Sequence, residues 1–283
     1  MTARLLDGRE VASHLRRELQ QRLEPLGVAD EETAPCLAIV RDGSSEAAAV
    51  YAASLERAAR SIGMPSRPIV GEAESYDRVI DRLNTDGRVA GIVVAQPFAD
   101  VTAGRQLVER IDPAKDVDGA TPTNAGRLAR GEPAFVPATA LAVIAMIEAF
   151  GIEVAGRRVV VVGRSAVVGR PVASALLARD ATVVICHRAT RHLARETRRA
   201  EVLVVAAGSP RLIGSEMVNR SAVVIDCGIN TVDGRLVGDV DFEAVAPVVR
   251  AITPVPGGVG PVTPMMVLRQ TVESAEGLAS AGR

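Results

Sequence analysis

The run Val159–Pro171, VVVVGRSAVVGRP, leads four valines into a glycine turn and then into a helix-like segment. The chemistry open to that spacing is anion binding. Gly163 allows a tight turn, Gly169 lets a helix pack closely on the strand, and free amides at the helix start can hold a phosphate. The pattern is GxSxxxG, with Ser165 where a dinucleotide fingerprint has its second glycine. On this run alone, a strand-to-helix turn without a ligand stays open. The next apolar run ends Ile185-Cys186-His187-Arg188. It lacks the carboxylate that holds ribose hydroxyls in NAD proteins, and Arg188 and Arg164 offer guanidiniums instead. Two such forks suit a 2′-phosphate, which favours NADP over NAD. The alternative is a solvated loop cation.

A second run, Ile252–Met265, reads ITPVPGGVGPVTPM, with three glycines and four prolines. Proline fixes φ and removes an N–H, while glycine admits φ > 0 and close backbone approach. Few side chains here can do chemistry. The run offers a rigid floor of backbone amides for a flat ligand, or else it is an ordinary turn.

Short apolar runs that could position these segments alternate with helical patterns along the chain. Strands are expected at Leu37–Val40, Arg67–Val70, Gly91–Val94, Arg158–Val162, Thr182–Ile185, Val202–Ala206 and Ala222–Asp226. They are rich in Val and Ile without period-two alternation, as in parallel strands covered on both faces. Helices are expected at Arg9–Leu23, Ala48–Ile62, Tyr76–Asn84, Ala103–Ile111, Ala140–Phe150, Val168–Arg179 and Thr263–Leu278. The order implies an α/β fold with parallel sheets. A Gly/Pro-rich seam at Thr121–Pro137 divides it in two.

The 283 residues suffice for one large or two modest domains, and 48% are apolar. A net charge of −1 gives no footprint for nucleic acid. No apolar run approaches the roughly 20 residues of a membrane helix. The N-terminus MTARLLDGRE lacks a signal-peptide pattern, so a cytoplasmic protein is expected. Cys36, Cys186 and Cys227 have no metal-like spacing, His14, His187 and His192 form no zinc motif, and no metal is expected. Lys115 is the only lysine.

PGGVGPVT within the second run resembles the signature of the methylenetetrahydrofolate dehydrogenase/cyclohydrolase family. VGRSAVVGRP, the His-Arg pair after the next strand, AEVLVVAAGSP, VVIDCGIN and PAKDVDGATPTNAGRL match further family segments in order. The resemblance implies residues 1–138 as a folate-binding catalytic domain, joined by a returning C-terminal helix at 264–283. It implies residues 139–263 as a Rossmann-like NADP domain, with a cleft between the two. A tetrahydrofolate derivative would be the substrate and NADP the cofactor, in a homodimer serving one-carbon metabolism and purine biosynthesis. Asp118 would anchor the pterin, since a carboxylate accepts two hydrogen bonds from an aminopyrimidine edge. Tyr51, Gly257, Gly258 and Pro261 would line the substrate site. Gly163, Arg164, Ser165, Gly169, Arg188 and Ile229 would hold the cofactor. Asp226 and Asn230 read as structural.

The chain departs from the family where a lysine follows the tyrosine by four residues on one helix face. Leu55 stands there. The loop Arg41–Ala49 reads as altered and about two residues longer; absorbing that change would put Ala53 at the lysine position. Ala95 replaces a family glutamine, and Gln96 follows one residue on, where strand alternation turns it to the other face. Gln96 is kept with Tyr51 and Asp118 as a catalytic candidate, and Lys115 is an outside replacement for the amine.

These losses separate two reactions. Dehydrogenation removes hydride from a carbon between two nitrogens and needs orientation without a general base. Cyclohydrolysis adds water to the resulting cation and moves protons, which calls for a tuned acid-base group. The reading is therefore an NADP-dependent methylenetetrahydrofolate dehydrogenase with impaired cyclohydrolase activity. Two alternatives stay open: a silent NADP- or folate-binding paralogue, or an oxidoreductase with a non-folate substrate.

Overall fold

A computed structural model describes residues 3–27, 34–71 and 76–281. In chain order its elements are β1 (Arg4–Leu5), α1 (Gly8–Leu23), β2 (Cys36–Asp42), α2 (Glu46–Ile62), β3 (Ser66–Gly71), α3 (Tyr76–Thr85), β4 (Val89–Ala95), α4 (Val101–Glu109), α5 (Pro122–Ala129) and α6 (Ala138–Ala149). There follow β5 (Arg158–Val162), α7 (Gly169–Leu177), β6 (Thr182–Cys186), α8 (Leu193–Thr197), β7 (Val202–Val205), β8 (Val223–Asp226), β9 (Asn230–Val232), β10 (Arg235–Val237), α9 (Phe242–Val245), β11 (Ala251–Ile252) and α10 (Val259–Ala281). Each expected strand and helix has a counterpart, with ends shifted by a few residues. The chain divides into a unit of Ser13–Ala138 with Pro264–Arg283 and a unit of Met1–Ala12 with Thr139–Thr263. No helix among the described residues is long and apolar enough to cross a membrane.

The first unit is built on a parallel sheet ordered β3-β2-β4. β4 is buried along its whole length, which explains why its sequence shows no polar alternation. Helix α2 begins where the Ser45 side chain accepts the Ala48 amide and ends where Gly63 turns left-handed at φ 81°. β2 runs on through Asp42 and α2 starts at Glu46, so Gly43–Ser45 connects them. The seam also contains more order than its glycines and prolines suggest. Thr121 caps α5 through the Asn124 amide, and Pro122 sits in its first turn, where a missing N–H costs nothing.

The second unit carries a six-stranded parallel sheet ordered β1-β11-β8-β7-β5-β6. Residues 3–12 group with this unit, whereas the expectation placed them with the rest of 1–138. The reason is local: β1 pairs with β11, Arg4 opposite Ala251 and Leu5 opposite Ile252. From β5 the chain moves one way to β6, then back past β5 to β7 and β8. That reversal opens a topological switch point at the carboxyl ends of β5 and β7, the usual ligand crevice of such sheets. An antiparallel ribbon, β9 with β10, follows β8.

Helix α10 is tied to the segment before α6 by one buried amide. Gln270 Nε2 donates to the carbonyls of Val117 at 2.7 Å and Val136 at 2.9 Å, and its Oε1 accepts the Val136 amide at 2.8 Å. Gly91 of β4 leaves room for the same packing, because a Cβ there would lie 2.7 Å from a Val117 methyl and 2.9 Å from the Thr271 hydroxyl. Replacing Gln270 by Leu strands three backbone groups, one of them alongside Asp118. Gln270→Leu should therefore lower unfolding free energy by about 2–4 kcal/mol, read as a shift of the urea midpoint at unchanged slope.

Candidate active site

Where β5 ends, Gly163 takes φ 134°, and a Cβ there would strike the Ala206 carbonyl. A Cβ at Gly169 would strike the Gly163 carbonyl. Both glycines are thus fixed by packing of the β5–α7 turn against its own neighbours, as the fingerprint reading requires. Ser165 substitutes for a second glycine by capping: its Oγ accepts the amides of Val168 at 3.1 Å and Gly169 at 3.4 Å. Ser165 and Arg164 are exposed on this turn, and Arg188 is exposed beyond β6. The His187 amide donates to Thr190 Oγ1 at 2.9 Å, and His187 Nδ1 accepts the Ala189 amide at 3.2 Å, shaping the turn that carries Arg188. Ile229 is 70% exposed just before β9. An exposed turn at the switch point, with two free-reaching arginines and no room for extra Cβ atoms, fits a dinucleotide phosphate.

Beneath the turn lie two buried carboxylates. Asp226 accepts the amides of Gly228 at 2.8 Å, Val240 at 2.9 Å and Asp239 at 3.1 Å. Burial pushes its pKa up to about 6, against the pull of those amides. Asp239 accepts the amides of Ala207 at 2.6 Å, Gly208 at 2.8 Å and Ser209 at 2.8 Å, and the Asn230 side chain at 2.9 Å. Asp226 and Asn230 are therefore framework groups. The sequence reading passed over Asp239, which carries no motif signal beyond the glycine before it.

The glycine-rich run divides in two. Gly257, at φ 117°, lies against the Arg9 guanidinium, where a Cβ would be 3.0 Å from it, and its carbonyl accepts the Gly8 amide at 2.8 Å. Gly258 is closed in by Thr253 and the Pro254 carbonyl, and its own carbonyl blocks any Cβ at Gly8. Close approach at this pair thus comes first from the start of α1. Gly260 is different: it is exposed, and open space faces it. Pro261 lies half-buried in the first turn of α10, which begins at Val259, earlier than the expected Thr263.

In the other unit, Tyr51 and Asp118 form an electrostatic pair. Burial, then the charge of Asp118, holds the Tyr51 hydroxyl well above its ordinary pKa. Asp118 is raised from 3.8 to about 7, chiefly by burial and then by the neighbouring Asp116, while the Ala138 amide draws it back down. Both residues are half-buried: each is surrounded by protein yet keeps some surface for a ligand. Asp116 is already engaged, accepting the amides of Ala120 and Thr121 and the side chain of Asn124 at 2.8–2.9 Å. Leu55, one turn beyond Tyr51, is fully buried, as is Ala95.

Gln96 does not keep a free amide. Its Oε1 accepts the Phe98 amide at 3.1 Å and its Nε2 donates to the Gly104 carbonyl at 3.4 Å, so the side chain is committed to the turn after β4. Lys115 is committed too. Its ammonium donates to the carbonyls of Leu83 at 3.1 Å and Asp86 at 2.8 Å at the end of α3, and burial lowers its pKa. That use matches the negative end of a helix dipole.

Comparison with known proteins shows the family. Residues 6–118 match the family model "Tetrahydrofolate dehydrogenase/cyclohydrolase, catalytic domain", and residues 137–279 match its "NAD(P)-binding domain". The chain is 45% identical over 276 residues to the "Bifunctional protein FolD" of a Parafrankia species, covering 97% of this chain and 100% of that one. A crystal structure of the bifunctional FolD dehydrogenase/cyclohydrolase of Campylobacter jejuni superposes with a TM-score of 0.92 at 38% identity, covering 96% of this chain and 98% of that one. The Trypanosoma brucei enzyme, complexed with NADP cofactor and inhibitor, gives 0.91 at 34% identity, with both chains covered in full. Shikimate dehydrogenase from Aquifex aeolicus, at 13% identity and 0.52, shares the fold alone. With both halves matched in order and relatives of such identity covered end to end, the chain belongs to the tetrahydrofolate dehydrogenase/cyclohydrolase family.

Proposed function

We propose that the protein oxidises methylenetetrahydrofolate to methenyltetrahydrofolate with NADP and is a poor cyclohydrolase. The observation that carries the reading is the raised carboxyl of Asp118 beside Tyr51. Among the described residues, Ala138 is the one backbone amide recorded on it, so acceptor capacity is left for a ligand. An aminopyrimidine edge supplies two donors at the spacing of a carboxylate. NADP, when bound, takes the hydride. The protein orients the reactants: Asp118 fixes the pterin, Tyr51 lines its pocket, and Gly257, Gly258 and Pro261 border the substrate. Gly163, Ser165 and Gly169 hold the dinucleotide phosphates, Arg164 and Arg188 hold the 2′-phosphate, and Ile229 packs on the cofactor. None of these groups moves a proton, and hydride departure asks for none.

Ring opening asks for more. Leu55 occupies the place of the family lysine, Ala95 that of the glutamine, and both are buried apolar groups. Gln96 and Lys115 are engaged elsewhere. A positioned acid-base group is worth about 100- to 10,000-fold in rate, so hydrolysis should fall behind by that margin. The reading includes a cytoplasmic homodimer that supplies one-carbon units for purine biosynthesis, a step that rests on family membership.

Incubation with methylenetetrahydrofolate and NADP should form NADPH while methenyl absorbance accumulates. Methenyl hydrolysis should stay near the spontaneous rate, and Leu55→Lys should raise it. Prompt hydrolysis by the unaltered chain would dismiss the reading of Leu55, and NADP binding without turnover would favour a silent paralogue.

The titration of Asp118 yields a second test. Its folded pKa, about 7, lies above the unfolded 3.8. The stability it contributes is therefore complete below roughly pH 4 and is lost as pH rises through about 7. Asp118→Asn stays neutral, so it should melt above wild type at pH 8, with the gap closing towards pH 4. Its kcat/KM for the folate should fall about 100-fold or more, as two charge-assisted hydrogen bonds go. In wild type, KM for the folate should climb as pH falls below 7 while kcat stays flat. Equal melting at pH 8 with unaltered turnover would remove Asp118 from the site.

A further inference from the structure

We propose that Asp239 is the positioning residue of the NADP site, holding the chain that leaves β7 in the arrangement that keeps the switch point open to the dinucleotide. The proposal rests on the reading that NADP binds at the carboxyl ends of β5 and β7.

Three consecutive amides, Ala207, Gly208 and Ser209, converge on the Asp239 carboxylate. Such a run of N–H groups is a concave anion site, and here the protein fills it from within. Oδ2 takes Ala207 and Gly208; Oδ1 takes Ser209 and the Asn230 side chain. Both oxygens are thus spent, and Asp239 has no exposed surface. It cannot touch the cofactor and acts through the segment it holds. That segment borders the phosphate turn. The Ala206 amide donates to the Val162 carbonyl at 2.7 Å, and the Ala206 carbonyl lies where a Cβ of Gly163 would be. Movement of residues 207–209 is therefore passed directly to the Gly163 turn.

The carboxylate is itself fixed from behind. Its own amide donates to Asp226 Oδ1 at 3.1 Å. A Cβ at Gly228 would lie 2.4–2.6 Å from Asp239 atoms, and one at Gly238 would strike the Asp226 carboxylate. An asparagine at 239 would keep the volume but turn an NH2 towards donors. The Asn230 amide can flip to accommodate it; the backbone amide of Ser209 cannot. At least one backbone donor loses its acceptor whichever way the side chain sits: Ser209 in one orientation, Ala207 and Gly208 in the other.

The test is NADP dissociation by equilibrium fluorescence, beside steady-state kinetics and urea unfolding. Asp239→Asn should raise the NADP dissociation constant about tenfold, the scale of one lost hydrogen bond to a charged group. KM for methylenetetrahydrofolate, and kcat at saturating NADP, should stay within about twofold, because the other unit is untouched. Asp241→Ala is the control: it removes the α9 cap on the Ala244 amide and should lower stability with NADP affinity unchanged. Should Asp239→Asn fail to fold, Asn230→Ala removes the side-chain donor on the same carboxylate and should raise the dissociation constant about threefold. An unchanged dissociation constant in whichever of these folds, or an equal loss in the Asp241→Ala control, overturns the proposal. A wild-type chain that does not bind NADP instead overturns the underlying reading, and the proposal with it.

Discussion

Parallel sheets gather their functional loops at one edge, and those loops carry amides that no strand ladder satisfies. In this protein aspartates meet that demand. Asp42 takes the amides of Ser44 and Ala99, which hold its carboxyl below the ordinary range. Asp116 takes Ala120 and Thr121, Asp226 takes Gly228, Asp239 and Val240, and Asp239 takes Ala207, Gly208 and Ser209. The turns that present binding groups are as rigid as these acceptors make them. Glycines at 163, 228 and 238 follow from the same demand, since each lets backbone or carboxylate come within a distance that a Cβ forbids.

Against that background Asp118 stands apart. Its neighbour Asp116 is saturated, yet among the described residues Asp118 is drawn down by the Ala138 amide alone, and burial raises it to about 7. An under-satisfied buried carboxyl is a cost that structural aspartates avoid by collecting donors. On the proposed reading, a ligand that brings its own donors completes Asp118. Placement by such a group is enough for hydride departure, in which charge is delocalised over two nitrogens and no proton is exchanged.

Much of this was legible in the sequence because it was written in local terms. Uninterrupted Val and Ile runs gave the buried parallel strands, and the glycine spacing after β5 gave the phosphate turn. What escaped notice depends on residues far apart. Arg4 and Leu5 form a strand only because Ala251 and Ile252 lie beside them, so the first residues join the unit that follows them last. Gly257 and Gly258 read as a ligand floor from sequence, and only the fold shows that Gly8 is packed against them as well. Asp239 has no neighbours in sequence that foretell three amides converging on it. The α5 helix is signalled by its Thr-Pro start, but it lies among glycines and prolines that favour turns.

Leu55 fills its place on α2 as a core residue. It has no accessible surface and shares its helix face with Tyr51, and Ala52, Ala58, Ala59 and Ile62 of the same helix are buried with it. An ammonium at such a site must be desolvated, which costs several kcal/mol unless partners compensate, and the same desolvation would tune it for acid-base work. A leucine removes the cost and the chemistry together, and completes the core of α2 with a residue of high helix propensity. Tyr51 and Asp118 need no lysine to remain where they are: one is held by the helix, the other by the Val117 and Ala138 backbone. Under the proposed function, placement for hydride transfer therefore does not depend on the ammonium that hydrolysis would use.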